Sequence, residues 1–225
     1  MAGSELVRYE LRESVALLHF DDGKANALSA DAIGALGQAL DRAEKDEARA
    51  LALFGRPGRF SAGFDLSVMR QGGSAVLDLV RSGAELGLRL YTFPCPVIAG
   101  CTGHALAMGA LLLLCSDERI GTRGDFKIGL NEVAIGMTLP YFGVELAKAR
   151  LSRRHLTRAV AEAEIYDPEA AVDAGWLDRV VGPEALSESV LALATRLATL
   201  DTRAHTETKR SLRDDDVAAI RASLD

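Results

Sequence analysis

The chain has 225 residues, 48% of them hydrophobic and 26% charged, which is typical of a globular protein with enough apolar material for a core. A formal net charge of −6 and the lack of a strongly basic block argue against a nucleic-acid partner. The four histidines and three cysteines lack metal-ligand spacing, and the longest apolar run, Ala105–Cys115, is about half the length that a membrane-spanning helix needs.

The cysteines and the first residues indicate the compartment. Cys95, Cys101 and Cys115 are odd in number and lie in apolar contexts, which favours buried free thiols in a reducing environment. The opening residues, M-A-G-S-E-L-V-R, lack the charged-then-apolar pattern of a secretory signal. We therefore expect a soluble, cytoplasmic protein with no membrane partner.

The first half of the chain alternates short apolar runs with amphipathic stretches. The runs Val7–Leu11 and Val15–Phe20 predict an opening hairpin. Apolar residues recur at three- and four-residue steps after Ser29, which predicts a helix. The run Ala50–Phe54 predicts a buried strand, and Ala75–Tyr91 predicts a second helix.

Small residues join a strand to a helix at two places. Arg59–Leu66 is a turn that leads into a helix starting at Asp65, and the strand Val97–Cys101 leads through a glycine-containing turn into the buried helix of Thr102–Cys115. Such helix starts present unpaired backbone N–H groups that can bind an anion or a carbonyl oxygen. Ser61 lacks the G-x-S-x-G context of a hydrolase nucleophile.

The second half is mainly helical. Its predicted elements are the strands Glu118–Thr122 and Phe126–Ile128, the helices Val144–Leu151, Arg153–Ala163 and Pro168–Ala174, the extended piece Leu177–Val181, and the helices Leu186–Leu200 and Thr206–Leu212. Alternation of strands and helices in the first half favours an α/β fold with parallel strands and helical crossovers.

One carboxylate lies in an unusual position. The segment Ile128–Pro140 is almost wholly apolar or glycine, yet it contains Glu132. Loss of hydration in such surroundings would raise the pKa of this carboxyl group and suit it to proton transfer. The alternative is that Glu132 caps a turn or pairs with an arginine. If Glu132 is catalytic, it can remove a proton from the carbon beside a carbonyl group, while the two sets of N–H donors hold the carbonyl oxygen as it becomes an enolate.

Five motifs in this order resemble the crotonase (enoyl-CoA hydratase/isomerase) superfamily, and together they extend over about residues 7–213. They are K-A-N-A-L at Lys24–Leu28, F-S-A-G-F-D-L at Phe60–Leu66, G-H-A-L-A-M-G-A at Gly103–Ala110, I-G-L-N-E-V-A-I-G at Ile128–Gly136, and A-V-D-A-G-W-L-D-R-V-V at Ala171–Val181. The resemblance implies a crotonase-like spiral of ββα units over residues 1–182. It also implies a helical C-terminal trimerisation region over residues 183–225 of the same overall domain.

The resemblance also implies roles for individual residues. Glu132 would be the catalytic acid–base group, and the backbone N–H groups of Phe64 and Met108 would form an oxyanion hole, although many family members have glycine at the Met108 position. The residues that would line the groove for coenzyme A and the thioester are Lys24, Ala25, Leu28, Ala62, Asp65 and Leu66. Because the chain ends soon after the predicted helix Thr206–Leu212, we expect a reduced final helix.

Leu111 departs from the two-glutamate pattern of the hydratases in the family. Leucine stands where those enzymes carry the first glutamate, so Glu132 would act alone. Moving a double bond from position 3 to position 2 needs one base, whereas adding water also needs a group that activates the water. The resemblance therefore favours a Δ3,Δ2-enoyl-CoA isomerase.

Other activities stay open at this stage. They are an enoyl-CoA hydratase, the dehalogenase, hydrolase and decarboxylase chemistries of the family, and a non-catalytic acyl-CoA binding protein. The resemblance implies an acyl-CoA thioester substrate, no permanently bound cofactor because the substrate carries coenzyme A, and a homotrimer or a dimer of trimers.

Overall fold

The computed structural model describes residues 6–224. Residues 1–5 and Asp225 lie outside the described residues, and so does most of the segment on which the prediction about a secretory signal rests. The strands in chain order are β1 (Val7–Arg12), β2 (Val15–Phe20), β3 (Ala27–Leu28), β4 (Ala50–Phe54), β5 (Gly58–Ser61), β6 (Gly63–Phe64), β7 (Val97–Cys101), β8 (Gly103–Leu106), β9 (Glu118–Thr122), β10 (Ile128–Gly129) and β11 (Arg179–Val181). The opening hairpin and the predicted strands at β4, β7 and β9 are confirmed.

Several of the helices start or stop at residues with recognisable capping chemistry. In chain order they are α1 (Ala30–Lys45), α2 (Leu66–Met69), α3 (Ser74–Tyr91), α4 (Met108–Cys115), α5 (Tyr141–Arg150), α6 (Leu156–Val160), α7 (Pro168–Ala174), α8 (Leu186–Leu197) and α9 (Thr202–Ala222). The Ser29 hydroxyl accepts the Ala32 N–H at the start of α1. Gly175 ends α7 in the left-handed conformation, as its position after the predicted helix requires.

A repeated strand–strand–helix unit builds the fold. The long strands form one sheet in the order β1-β2-β4-β7-β9-β11, which is parallel except for the β1–β2 hairpin. Each long strand from β2 to β9 is followed by one or two short strands and then a helix, and the short strands form two small parallel sheets, β10-β8-β5 and β3-β6. The chain therefore winds through successive ββα units, with each helix serving as a crossover.

The large sheet is covered on both faces, because alternate residues of its strands enter different cores. In β2, Leu18 packs in the main core with α1, α3 and α4, while Leu17 belongs to a second core on the opposite face that includes Leu193 of α8. Helix α4 is buried along its whole length, which confirms the prediction from its leucine run. Cys95, Cys101 and Cys115 are buried free thiols, also as predicted.

Two helices differ from the predictions. Helix α9 extends over the 21 residues Thr202–Ala222, whereas the predicted helix covered only Thr206–Leu212. The expectation of a final helix that is reduced relative to the family stays a prediction. The buried face of α9 carries Lys209 and Arg213 together with Ile220, so a search for apolar periodicity misses most of this helix. Helix α6 is shorter than Arg153–Ala163, because residues 152–155 form a turn and Ala163 is left-handed.

Smaller differences occur at the ends of other elements. The predicted strand at Phe126–Ile128 is instead β10, and the extended piece at Leu177–Val181 is a strand only from Arg179. The division at residues 182 and 183 stays a prediction. Within residues 6–224, no helix combines the length and apolar character needed to cross a membrane.

Candidate active site

Glu132 is a buried carboxylate with no ionic partner among residues 6–224. The residue is 8% exposed, and its Oε2 atom accepts no hydrogen bond from any described residue. Burial raises the pKa of this carboxyl group above its ordinary value, and nearby backbone N–H groups offset the change only in part. This environment agrees with the prediction made from the apolar segment, and Glu132 forms no ion pair with an arginine among residues 6–224.

The strand before Glu132 brings it to the second predicted turn. Strand β10 pairs in parallel with β8, with Gly129 opposite Leu106. Beyond the paired residues, the Ala107 N–H donates to the Gly129 carbonyl over 3.0 Å. The Glu132 segment therefore leaves the small sheet beside the peptide that joins Ala107 to Met108.

The peptide between Ala107 and Met108 starts α4 in an unusual conformation. Ala107 has φ 51° and ψ −128°, a region that costs a residue with a side chain about 1–3 kcal/mol. Met108 is the first helical residue, and its N–H donates to no backbone or side-chain acceptor in the described part of the chain. The N–H is therefore available to an incoming acceptor, as expected at a helix start.

The first predicted turn lies directly against the second. A methyl group on Gly63 would lie 2.7 Å from Ala107 Cβ and 3.2 Å from Met108 N, closer than packed atoms allow. Gly63 also has φ 89°, which only glycine adopts readily. Because Phe64 follows Gly63 directly, the structure brings together the two peptides that the resemblance implies as oxyanion-hole donors, with the Glu132 strand next to them.

The residues that the resemblance assigns to the groove lie on two loops joined by the β3–β6 pair. Ala27 and Leu28 pair with Gly63 and Phe64, so Lys24 and Ala25 lie near Ala62 and Asp65. Asp65 caps α2 through its hydrogen bonds with the Ser67 N–H and hydroxyl, which lower the pKa of the Asp65 carboxyl group.

Two of the residues predicted to line the groove have opposite environments. Leu66, the first residue of α2, is exposed, whereas Leu28 is fully buried in the main core. Neither the side chain nor the backbone of Leu28 reaches the surface of the single chain.

Asn26 and Ser61 connect these loops, and no role was predicted for either of them. Asn26 is fully buried and left-handed, and its side-chain amide donates to the carbonyls of Phe20 and Phe60. The Ser61 hydroxyl donates to the Asn26 carbonyl over 2.7 Å and accepts the Gly63 N–H. The signal for Asn26 is its place in a polar loop, where asparagine tolerates the left-handed region better than most residues do.

Leu111 lies in a fully apolar environment on α4. A methyl group on Gly143 of α5 would lie 3.0 Å from Leu111 Cδ1 and 3.2 Å from Leu139 Cδ1, so the two leucines pack beside the same helix. Leu111 therefore contributes packing and no proton-transfer group. Among the described residues, no group of three or more His, Cys, Asp or Glu side chains is arranged to hold a metal ion.

Comparison with known proteins places this arrangement in a family. The family model described as enoyl-CoA hydratase/isomerase matches residues 10–221, so the chain belongs to the enoyl-CoA hydratase/isomerase family. The succession of ββα units with C-terminal helices is accordingly the crotonase fold.

The relatives include proteins named for different reactions. An enoyl-CoA isomerase of Mycobacterium tuberculosis is 40% identical with a TM-score of 0.95, and the match covers 98% of this chain and 96% of that one. An enoyl-CoA hydratase of Mycobacterium marinum is 37% identical with a TM-score of 0.94, over 97% of this chain and 96% of that one. The mitochondrial enoyl-CoA delta isomerase 1 of Mus musculus is 28% identical, over 92% of this chain and 73% of that protein.

Proposed function

We propose that this protein is a Δ3,Δ2-enoyl-CoA isomerase in which Glu132 is the single acid–base residue. The observation that carries the proposal is the buried Glu132 carboxylate, whose Oε2 atom has no hydrogen-bond partner among the described residues, beside the Met108 N–H, which has no acceptor among them. A carboxylate with a raised pKa is a suitable base for the proton next to a thioester, provided that donors stabilise the enolate oxygen.

The reaction needs one proton to move between two carbons. Glu132 takes the proton from C2 of the 3-enoyl-CoA, and the electron pair of that C–H bond enters a dienolate whose oxygen accepts hydrogen bonds from the N–H groups of Phe64 and Met108. The protonated Glu132 then gives the proton to C4, which leaves the double bond between C2 and C3. No other atom is gained or lost, so a second carboxylate at the Leu111 position is not required.

The loop at Lys24 supports the binding of the anionic coenzyme A part. Lys24 is exposed, and the Arg56 guanidinium donates to its carbonyl over 2.7 Å. Arg56 and Arg8 line a cavity of about 430 Å³ beside this loop. Asp21 also lines this cavity and pairs with Arg56 over 3.3 Å, so Lys24 and Arg8 supply the charge that Asp21 does not balance. We propose that these cationic groups attract the phosphates of the substrate, while the groove of Ala25, Ala62, Asp65 and Leu66 takes the thioester arm. No permanently bound cofactor is part of the proposal.

Separate assays with a 3-enoyl-CoA and a 2-enoyl-CoA test the proposed reaction. We expect isomerisation of the first substrate, and a loss on the order of 10³-fold in Glu132→Gln, within the range for removal of one general acid–base group. The matched control is Glu145→Gln, since Glu145 is a largely buried glutamate on α5 that pairs with Lys148. We expect this control to keep the wild-type rate.

Three outcomes would contradict the proposal. Hydration of the 2-enoyl substrate that survives Glu132→Gln would indicate a hydratase with a different catalytic group. Isomerisation that survives the same substitution would remove Glu132 from the mechanism. Acyl-CoA binding without turnover of either substrate would indicate a binding protein with this fold.

A further inference from the structure

Helix α3 contains two glycines in its buried middle part. Gly83 and Gly87 lie one helical turn apart, so both point to the same side of this 18-residue helix. Neither has a positive φ, so the backbone conformation does not require glycine at either position. Glycine disfavours a helix interior relative to alanine, which suggests that these positions are glycine because of what packs against them.

The Phe64 ring occupies the space beside Gly83. A methyl group on Gly83 would lie 2.5 Å from Phe64 Cζ and still closer to Cε1, well inside the distance that packed carbon atoms allow. Any residue other than glycine at position 83 therefore has to push the ring away. Phe64 is the residue whose N–H is the first proposed oxyanion-hole donor.

The Met108 side chain reaches the next turn of the same helix. A methyl group on Gly87 would lie 3.5 Å from Met108 Cε and 3.2 Å from Cys115 Sγ, so alanine there would be tight without a severe overlap. Met108 carries the second proposed donor. The side chains of both donor residues thus end on one glycine face of α3.

We propose that Gly83 and Gly87 are positioning residues, which fix the directions of the Phe64 and Met108 N–H groups by receiving the two side chains in a groove on α3. The inference rests on the proposed function, because it takes the two donors from it. A side chain that is held by packing restricts the backbone to which it is attached. Hydrogen bonds weaken steeply with misalignment, so a small rotation of either peptide would weaken its contact with the enolate oxygen.

Two glycines of α1 offer a matched control. A methyl group on Gly34 or Gly37 would meet nothing within 4 Å, so alanine there changes a helical glycine without touching a neighbour. We expect Gly34→Ala to leave activity unchanged and to raise the melting temperature slightly.

The test compares Gly83→Ala with Gly34→Ala by two readouts. The first is the C=O stretching frequency of bound hexanoyl-CoA labelled with ¹³C at C1. This saturated thioester is not turned over, and hydrogen bonds from the oxyanion hole lower the stretching frequency of its carbonyl group. The second is the kcat and KM for a 3-enoyl-CoA. We expect Gly83→Ala to move the frequency back toward its value in water and to lower kcat by about 10- to 100-fold with little change in KM, less than the loss of a whole donor. Gly87→Ala should have a smaller effect, and it serves as the second variant if Gly83→Ala does not fold.

Phe64→Ala shows whether Gly83 acts through the ring. It keeps the backbone N–H and removes the ring, so adding Gly83→Ala to it should cost no further activity if the inference is right. Equal losses in the two backgrounds would overturn the inference, as would a carbonyl shift that Gly83→Ala leaves at the wild-type value. A wild-type protein with no carbonyl shift would also overturn it. A normal shift without isomerisation would overturn the proposed function alone.

Discussion

Glu132 combines two properties that rarely occur together in proteins, since its carboxyl group is buried and its Oε2 atom has no hydrogen-bond partner in the part of the chain that the structure describes. Burying such a group disfavours its ionised form, so the folded state holds its proton more tightly than the unfolded chain does. In the proposed mechanism, the raised pKa of Glu132 makes it a base that accepts a proton readily at neutral pH and is also able to return it.

The raised pKa of Glu132 predicts a pH-dependent effect of Glu132→Gln on stability. Below the ordinary pKa of 4.5 the carboxyl group is neutral in both states, so the two proteins should have nearly equal free energies of unfolding. As pH rises through the raised pKa in the folded state, the wild type loses stability that the glutamine variant keeps. We expect urea unfolding to show Glu132→Gln as the more stable protein at pH 7, with the difference shrinking toward pH 4. A difference that does not change with pH would contradict this prediction.

Residues differ in how far the sequence alone identifies them. Glu132 is visible because one charged residue interrupts an apolar segment. Gly83 is not visible, because its steric partner, the Phe64 ring, is 19 residues away and no local pattern marks the contact. Asn26 has the same limitation, since its partners at Phe20 and Phe60 are brought to it only by the fold.

Helix α9 is attached to the rest of the protein largely through charged groups. The Asp117 carboxylate accepts from Lys209 Nζ and from an Arg213 guanidinium nitrogen, each over 2.7 Å. The same carboxylate accepts the Val97 N–H, and Arg213 also donates to the Tyr91 carbonyl. Both cationic side chains are about 6% exposed, so Asp117 supplies the countercharge that their burial requires.

Asp117→Asn should therefore loosen α9 more than an exposed substitution on that helix does. Removing one member of a buried ion pair costs about 3–5 kcal/mol, because the remaining charges stay buried without compensation. The control is Glu207→Gln, which breaks an exposed pair with Arg203 and should cost about 0.3–0.5 kcal/mol. We expect hydrogen exchange of residues 202–222 to accelerate in Asp117→Asn and to stay near the wild-type rate in the control. Equal exchange in the two variants would show that the ion pairs do not hold the helix.

The element that sequence analysis described least well is also α9. Its apolar positions are too sparse for a periodic pattern, because charged side chains occupy most of its inner face. In contrast, the strands of the large sheet are short apolar runs between polar turns, and these were located almost to the residue.

For the whole molecule, the order of strands and helices was sufficient to predict parallel pairing, and five motifs in order indicated the ββα spiral. The packing of the small sheets against one another could not be predicted, although it brings the two donor turns together. Close approaches such as that of Gly63 to Ala107 depend on atoms from distant segments, and sequence spacing contains no information about them.

We expect the assembled protein to be a trimer or a dimer of trimers. Large apolar side chains stay exposed on the single chain near the candidate site and on α9, including those of Leu66, Val133, Ile135, Tyr141 and Leu212. Burial of such groups between subunits would be favourable. Light scattering coupled to size-exclusion chromatography should give three or six times the mass of one chain. Leu212→Asp should reduce it, whereas Leu11→Asp on β1, outside the C-terminal region, should not. A monomeric wild type would contradict the prediction.

The attachment of Lys209 and Arg213 to one carboxylate also restricts how the end of the chain can dock. A helix with a continuous apolar face can slip by one turn and still bury similar groups. If α9 slipped by four residues, His205 would replace Lys209 opposite Asp117 in one direction, and Val217 would replace Arg213 in the other. Either slip leaves buried polar groups without partners, which is costly. The two cations therefore favour a single register of α9 against the rest of the protein. We expect the C-terminal helix to be either packed in this register or detached.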